Sequence, residues 1–234
     1  MKIFVLTGAG ISAESGLGTF RDKDGVWTQY DLNEVATPEG FARNPALVWA
    51  FYNARRENLA GAVPNAAHEA LARLEAGLAA QGGQLFLCTQ NVDDLHERAG
   101  SQRVVHMHGE LAVSRCHACQ ATWPDTAPLT AEIVCDACGR EGAARPHIVW
   151  FGEIPLFMDE IEDALSEADL FVSIGTSGSV YPAAGFVEMA RAMGMPTCEI
   201  NLEPSVNAYV FDEKLYGPAS EVVPQWVERV LTPG

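Results

Sequence analysis

Short apolar runs rich in β-branched residues recur along the chain at residues 3–6, 85–89, 104–107, 148–151, 170–174 and 197–202. In most of these runs successive rather than alternate positions are apolar, which predicts strands buried on both faces. Longer stretches with helical period lie between several of them, among them residues 66–80 and 158–168. Strands alternating with amphipathic helices predict an α/β fold, a Rossmann-like parallel sheet with helices on both faces. The rhythm breaks twice. Residues 31–61 read as a helical insertion in which Asn44-Pro45 opens a helix through Phe51 and Tyr52. Residues 112–146 carry Pro124, Pro128 and Gly139 with little apolar period, and read as a small inserted module. The large domain is therefore expected in two parts, residues 1–111 and 147–234.

Composition narrows the classes. Hydrophobic residues make up 48% and charged residues 20%, which excludes a disordered or fibrous chain. No apolar run approaches the roughly 20 residues of a membrane-spanning helix. The first residues run directly into strand and glycine turn with no room for a signal peptide, so a cytoplasmic protein without a membrane partner is expected. Fifteen Lys and Arg against 31 Asp and Glu give a net charge of −16. Such a surface repels phosphate backbones, and Arg55-Arg56 is the only adjacent basic pair, so direct nucleic-acid binding is not expected. Lysine-rich protein segments suit it better.

Four of the six cysteines form two pairs, Cys116-x-x-Cys119 and Cys135-x-x-Cys138, with 15 residues between them. In a chain read as intracellular, two such turns are the spacing of a tetrahedral zinc site rather than of disulfides. Four thiolates leave no open coordination position, so this one zinc is structural. Cys88 and Cys198 stand alone in apolar runs and read as buried core thiols.

The remaining chemistry lies where strands end. The first strand runs into Gly8-Ala9-Gly10-Ile11-Ser12-Ala13, a G-x-G-x-x-A turn of the kind that lets backbone approach a pyrophosphate at a helix N-terminus. The acidic residue that dehydrogenases place about 20 residues later is missing. In its place stands Gly16-Leu17-Gly18-Thr19-Phe20-Arg21-Asp22-Lys23-Asp24-Gly25-Val26-Trp27, which reads as a flap. Gly175-Thr176-Ser177 and Glu199-Ile200-Asn201-Leu202-Glu203 also follow strands and are phosphate or ribose candidates. Gln90-Asn91-Val92-Asp93 and His106-Met107-His108-Gly109 complete the set. A histidine there can act as a base near neutral pH. Alternation puts His106 and His108 on one side of a strand, so spacing does not choose between them; the glycine after His108 favours it by leaving room for a ligand.

Taken in order, GAGISAESGLGTFRDKDGVW, TQNVDDLHERAG, HMHGEL, the two cysteine pairs, RPHIVWFGE, GTS and INLE closely resemble the sirtuin family of NAD-dependent protein lysine deacylases, from Lys2 to about Val223. The resemblance implies that NAD is consumed as a co-substrate. It implies that His108 is the base that deprotonates a ribose hydroxyl, with Asn91 and Asp93 holding the ribose and carboxamide region. Gly8, Ala9, Gly10, Ser12, Ala13, Thr19, Phe20, Arg21, Trp27, Gln90, Val92, Gly175, Thr176, Ser177, Asn201, Leu202, Glu203 and Ala219 would complete the NAD site. Phe20 would shield the reacting ribose carbon from water and Arg21 would orient NAD. In the implied reaction the acyl-lysine carbonyl oxygen attacks the ribose as nicotinamide leaves, and the hydroxyl activated by His108 attacks the resulting imidate. The products are free lysine, nicotinamide and an O-acyl-ADP-ribose. Val149, Phe151, Gly152 and Glu153 match the strand to which an acyl-lysine peptide adds in extended form.

Tyr52 and Arg55 stand at i and i+3 on one helix face. Spacing alone favours a core aromatic beside an exposed Arg paired with Glu57, since such pairs are common on helix surfaces. The Y-x-x-R resembles the signature of class III sirtuins, and implies that a phenol and a guanidinium hold the distal carboxylate of succinyl and malonyl groups as well as admitting acetyl. Ala13 is consistent with a roomy acyl pocket. Gly18 departs from the larger residue of many sirtuins, and His106-Met107 matches no pattern. An NAD-dependent ADP-ribosyltransferase and a non-catalytic acyl-lysine-binding module are the rival readings.

Overall fold

Strand and helix positions follow from where apolar side chains can be covered. A computed structural model describes residues 1–18 and 30–232. Its strands are β1 (Lys2–Thr7), β2 (Gln84–Thr89), β3 (Val104–His106), β4 (Gly109–Cys116), β5 (Thr122–Pro124), β6 (Ala144–Ile148), β7 (Leu170–Ile174), β8 (Thr197–Asn201) and β9 (Glu213–Tyr216). Its α-helices are α1 (Leu32–Val35), α2 (Pro38–Arg43), α3 (Pro45–Gly61), α4 (Ala66–Ala80), α5 (Leu95–Arg98), α6 (Met158–Ser166), α7 (Phe186–Ala192) and α8 (Ala219–Leu231).

Six strands form one sheet in the order β3-β2-β1-β7-β8-β9, and every neighbouring pair is parallel. Counted within that sheet, the order is the 3-2-1-4-5-6 of a doubly wound nucleotide-binding fold. The pleat of β1 shows why its run is continuously apolar. Ile3 and Val5 pack with Leu71, Leu74, Val223 and Trp226 of α4 and α8. Phe4 and Leu6 face the other way onto Ile161, Leu165, Phe186 and Val187 of α6 and α7. β4, β5 and β6 form a separate antiparallel sheet. A third core joins it to α3, where Val48, Phe51 and Tyr52 meet Leu111, Ile148 and Trp150.

The helix starts are locally encoded. Asn44 accepts from Leu47 N with Pro45 in the first turn, and Asn65 forms a reciprocal capping box with His68 at the start of α4. No helix among the described residues is long and apolar enough to cross a membrane.

Three expectations need correcting. The run 148–151 is not a strand: β6 ends at Ile148, because the Glu153 carboxylate takes the Trp150 N–H at 2.8 Å and turns the chain. The G-x-G-x-x-A turn leads not into an α-helix but into two single 3-10 turns, Ala9–Ile11 and Ala13–Ser15. His106 and His108 do not share a strand, since β3 ends at His106 and β4 begins at Gly109. β4 and β9 had no continuous apolar run to betray them. β9 is an edge strand, Glu-Lys-Leu-Tyr, with only Leu215 half-buried.

Candidate active site at the carboxyl ends of the strands

The sheet order reverses at β1 and β7, where a ligand crevice opens in such folds. The turns that follow these two strands touch. Gly8 N donates to Ile174 O at 3.0 Å and Gly10 N to Gly175 O at 2.9 Å. A Cβ on Gly10 would stand 2.7 Å from Gly175 Cα, and Gly175 has φ +65. These glycines serve first to let two backbone turns pack together. Beside them Thr176 bonds Ser173, Asn201 Nδ2 donates to the Thr176 carbonyl at 2.7 Å, and Leu202 N closes onto Asn201 Oδ1. Leu202 and Glu203 are exposed and Ser177 is half-buried. Ala219 begins α8, tied to the first turn by Ser220, which donates to the Glu14 carboxylate from both its N–H and its hydroxyl.

Ser12 joins the turn after β1 to the turn after β2. Its hydroxyl donates to Asp93 Oδ2 at 3.1 Å and accepts from Asn91 Nδ2 at 3.1 Å. It also meets His68 Nε2 at 3.3 Å. Because His68 Nδ1 accepts the Asn65 N–H, its Nε2 carries the proton and donates to Ser12. The hydroxyl thus uses its one proton and both lone pairs. Burial raises the Asp93 pKa, opposed by the bonds from Leu95 N and Ser12. Gln90, half-buried, extends β2 through Gln90 N to Thr7 O, and the Val92 carbonyl accepts from Leu111 N.

Burial alone pushes His68 down to about 4. A folded-state pKa below the ordinary 6.5 means the unfolded chain binds more protons between the two values. Stability is full above pH 6.5 and is lost as pH falls toward 4, by about 3 kcal/mol from this residue. Urea melts at stepped pH check this; His68→Gln is expected to flatten that limb, and an unchanged slope would exonerate His68.

The structure separates the two histidines that spacing could not. His106 is spent on both nitrogens, Nδ1 on the Asn91 carbonyl at 3.2 Å and Nε2 on Glu97 at 2.7 Å. Burial opposes its charging, but Glu97 outweighs that and raises the pKa. Among the described residues His108 uses only Nδ1, at 3.1 Å from the Gln90 carbonyl. A carbonyl can only accept, so Nδ1 carries the proton and Nε2 presents a lone pair. Burial lowers the His108 pKa, keeping it neutral and basic near pH 7.

On α3, Tyr52 is buried and Arg55 half-buried, which replaces the picture of an exposed Arg. Burial lowers the Arg55 pKa, while Tyr52 and Asp93 act to keep it charged, placing this pair electrostatically beside the Asn91–Asp93 turn. Residues 149–153 behave differently from a free strand edge. Val149 N donates to the His108 carbonyl, Phe151 N to Ala36 O and Trp150 N to Glu153. Glu153 also accepts from Arg145 and Arg115, so its carboxylate is a tie within the protein. Phe151 and Gly152 remain exposed. Thr19, Phe20, Arg21 and Trp27 lie outside the described residues. Sequence reasoning missed His68, Arg145 and Trp150; the first is signalled only by its place three residues after Asn65.

The four cysteines come together, with their sulfurs all within 4.8 Å of one another. Cys116 and Cys138 are 3.7 Å apart, as are Cys119 and Cys135. A tetrahedron with zinc–sulfur distances of about 2.3 Å has edges of about 3.8 Å, so the arrangement fits zinc.

Fold and site define a doubly wound nucleotide-binding protein whose crevice is bordered by a helical and zinc-type module. The chain belongs to the Sir2 family, whose model matches residues 8–182. It is 82% identical over 231 residues, 99% of this chain and 97% of the relative, to an NAD-dependent protein deacylase of Caulobacter vibrioides. An NAD-dependent protein deacylase of Escherichia coli (strain K12) is 56% identical, covering 98% of this chain and 82% of the relative. Among solved structures, a Sir2 homologue in complex with NAD superposes with TM-score 0.85 at 39% identity, covering 99% of this chain and 91% of that one.

Proposed function

We propose that this chain is an NAD-dependent protein-lysine deacylase that removes acetyl, succinyl and malonyl groups from proteins bound as extended peptides, releasing nicotinamide and an O-acyl-ADP-ribose. The observation that carries the reading is His108, fixed through Nδ1 with its Nε2 lone pair unspent beside the Asn91–Ser12–Asp93 turn. Two NAD-dependent deacylases, at 82% and 56% identity, support it.

His108 Nε2 takes the proton of a ribose hydroxyl, and the Gln90 carbonyl stabilises the imidazolium that results. Asn91 and Asp93, held rigid through Ser12, orient the nicotinamide ribose and carboxamide. The turns Gly8–Ala13 and Gly175–Ser177, with Asn201 to Glu203 and Ala219, cradle the rest of NAD. The peptide lies along residues 149–152 and pairs through carbonyls other than that of Trp150, since three of the N–H groups are taken and the Trp150 carbonyl accepts from Glu153 N. Zinc at the four cysteines stabilises the module and does no chemistry.

The test is purified protein with NAD and matched acetyl-lysine or succinyl-lysine peptides, followed by mass spectrometry. Loss of the acyl group with O-acyl-ADP-ribose formed is expected. ADP-ribose label on protein without acyl-lysine would make it a transferase, and no turnover of NAD a binding module. Arg55→Met is expected to lower kcat/KM for succinyl-lysine by about 30-fold, the roughly 2 kcal/mol of a hydrogen-bonded charge, and to spare acetyl-lysine far more. Equal losses would remove Arg55 from the acyl pocket.

A further inference from the structure

Tyr52 has one partner that determines what its hydroxyl can do. The phenol is 1% exposed, and the indole of Trp150, 2% exposed, donates Nε1–H to its oxygen at 2.9 Å. An indole nitrogen only donates, so Tyr52 accepts here and its own proton is not spent on Trp150. Among the described residues no acceptor takes that proton.

Trp150 is itself held from both sides. The guanidinium carbon of Arg145 lies 3.3 Å from the indole centroid. That guanidinium is clamped by the two Glu153 oxygens at 2.8 and 2.9 Å and by the Ile148 carbonyl at 2.6 Å. Glu153 also takes the backbone N–H of Trp150 at 2.8 Å, so one carboxylate fixes both the main chain and, through Arg145, the ring. The Phe41 ring packs 5.5 Å from Trp150. Four buried or half-buried residues thus serve to aim one N–H at one phenol.

We propose that Trp150 is a positioning residue for acyl specificity: its N–H occupies a lone pair of Tyr52, leaving the phenol as a hydrogen-bond donor to the distal carboxylate that Arg55 attracts. This rests on Tyr52 and Arg55 being the acyl pair proposed above. A phenol free to rotate in this pocket could spend its proton elsewhere or turn a lone pair toward the carboxylate, which repels it. Holding the acceptor side with a fixed donor removes that alternative before substrate arrives. Burial raises the Tyr52 pKa, so the phenol keeps its proton at neutral pH despite the opposing influence of Arg55 and Trp150. Acetyl-lysine has no distal carboxylate, so the device acts on selectivity.

The experiment measures the ratio of kcat/KM for succinyl-lysine to that for acetyl-lysine. Trp150→Phe keeps an aromatic ring under Arg145 and removes the N–H. The ratio is expected to fall about tenfold, carried mainly by KM for succinyl-lysine. In a Tyr52→Phe background the same change is expected to move the ratio less than twofold, because no phenol remains to be oriented. Should Trp150→Phe fold poorly, replacement of Trp150 by benzothienylalanine, which exchanges N–H for sulfur in the same shape, is expected to give the same fall. An unchanged ratio in these variants, while Tyr52→Phe lowers it, overturns the proposal and leaves the acyl pair standing. Equal losses on both peptides make Trp150 a structural residue and overturn it too. If neither Tyr52→Phe nor Arg55→Met moves the ratio, the acyl-pair reading fails and takes this proposal with it.

Discussion

Replacing His108 by alanine is expected to lower kcat for deacylation by about 10²–10⁴-fold while the protein stays folded. The fold survives because the side chain is half-buried and gives up one hydrogen bond, that of Nδ1 to the Gln90 carbonyl. Such a bond is worth about 1 kcal/mol, a small part of a domain's stability. The activity does not survive, because the Nε2 lone pair goes with the ring and His106 cannot replace it. Both His106 nitrogens are engaged, with Asn91 O and Glu97. The pH profile is a second readout of the same residue. Burial holds the His108 pKa below 6.5, and a base works only when neutral. As pH falls, kcat/KM is therefore expected to hold through 6.5 and to decline only below it. Steady-state rates with acetyl-lysine peptide, paired with a thermal melt of His108→Ala, check both. A folded variant with wild-type turnover would remove His108 from the mechanism, and an acid limb well above pH 6.5 would assign the base elsewhere.

The second large effect is on stability. Between residues 117 and 143 only Leu129 and Cys135 are buried, which is far too little apolar contact to order so long a segment. What shapes it besides the cysteine cluster is chiefly two side chains from α3. Asn53 donates to the Leu129 carbonyl and accepts the Leu129 N–H. Arg56 bonds the carbonyls of Leu111 and Ala127 and the side chains of Ser114 and Asp125. Structural zinc binding of about 10–16 kcal/mol is the size of contribution such a module lacks. Removing zinc with a strong chelator, or Cys119→Ser, is expected to unfold residues 117–143 and leave the six-stranded sheet. Elemental analysis should find one zinc per chain. Proteolysis should then cut within 117–143 only after metal removal. A melting profile and cleavage pattern indifferent to chelator would count against the metal site. Activity is expected to fall with the metal, since Trp49 Nε1 reaches the Ala144 carbonyl and ties this module to the helix that carries Tyr52 and Arg55.

Much of this was legible along the chain, for local reasons. The strands β1, β2 and β7 announce themselves because a parallel strand buried on both faces is apolar at nearly every position, whereas β8, Thr-Cys-Glu-Ile-Asn, also buries Thr197 and Glu199. The helix over Ala66–Ala80 reads from its period, and the zinc ligands from two C-x-x-C turns, since a short loop can place two thiolates on one ion by itself. The spacing G-x-G-x-x-A located the turn after β1 but not its geometry. Two 3-10 turns replace the expected helix, and the glycines are needed chiefly because the turn after β7 passes within contact of them.

Other features depended on residues distant in the chain, which no window of sequence brings together. Which of His106 and His108 keeps a free nitrogen depends on Glu97, Asn91 and Gln90, all on the turns and short helix after β2. That Glu153 is an internal tie depends on Arg145 and Arg115 across an antiparallel pair. The partnership of Tyr52 and Trp150 spans 98 residues and two elements. Periodicity and spacing encode what a segment does with its own backbone and its nearest apolar cover. The direction of a proton in a buried hydrogen bond is set only when the fold supplies the second partner.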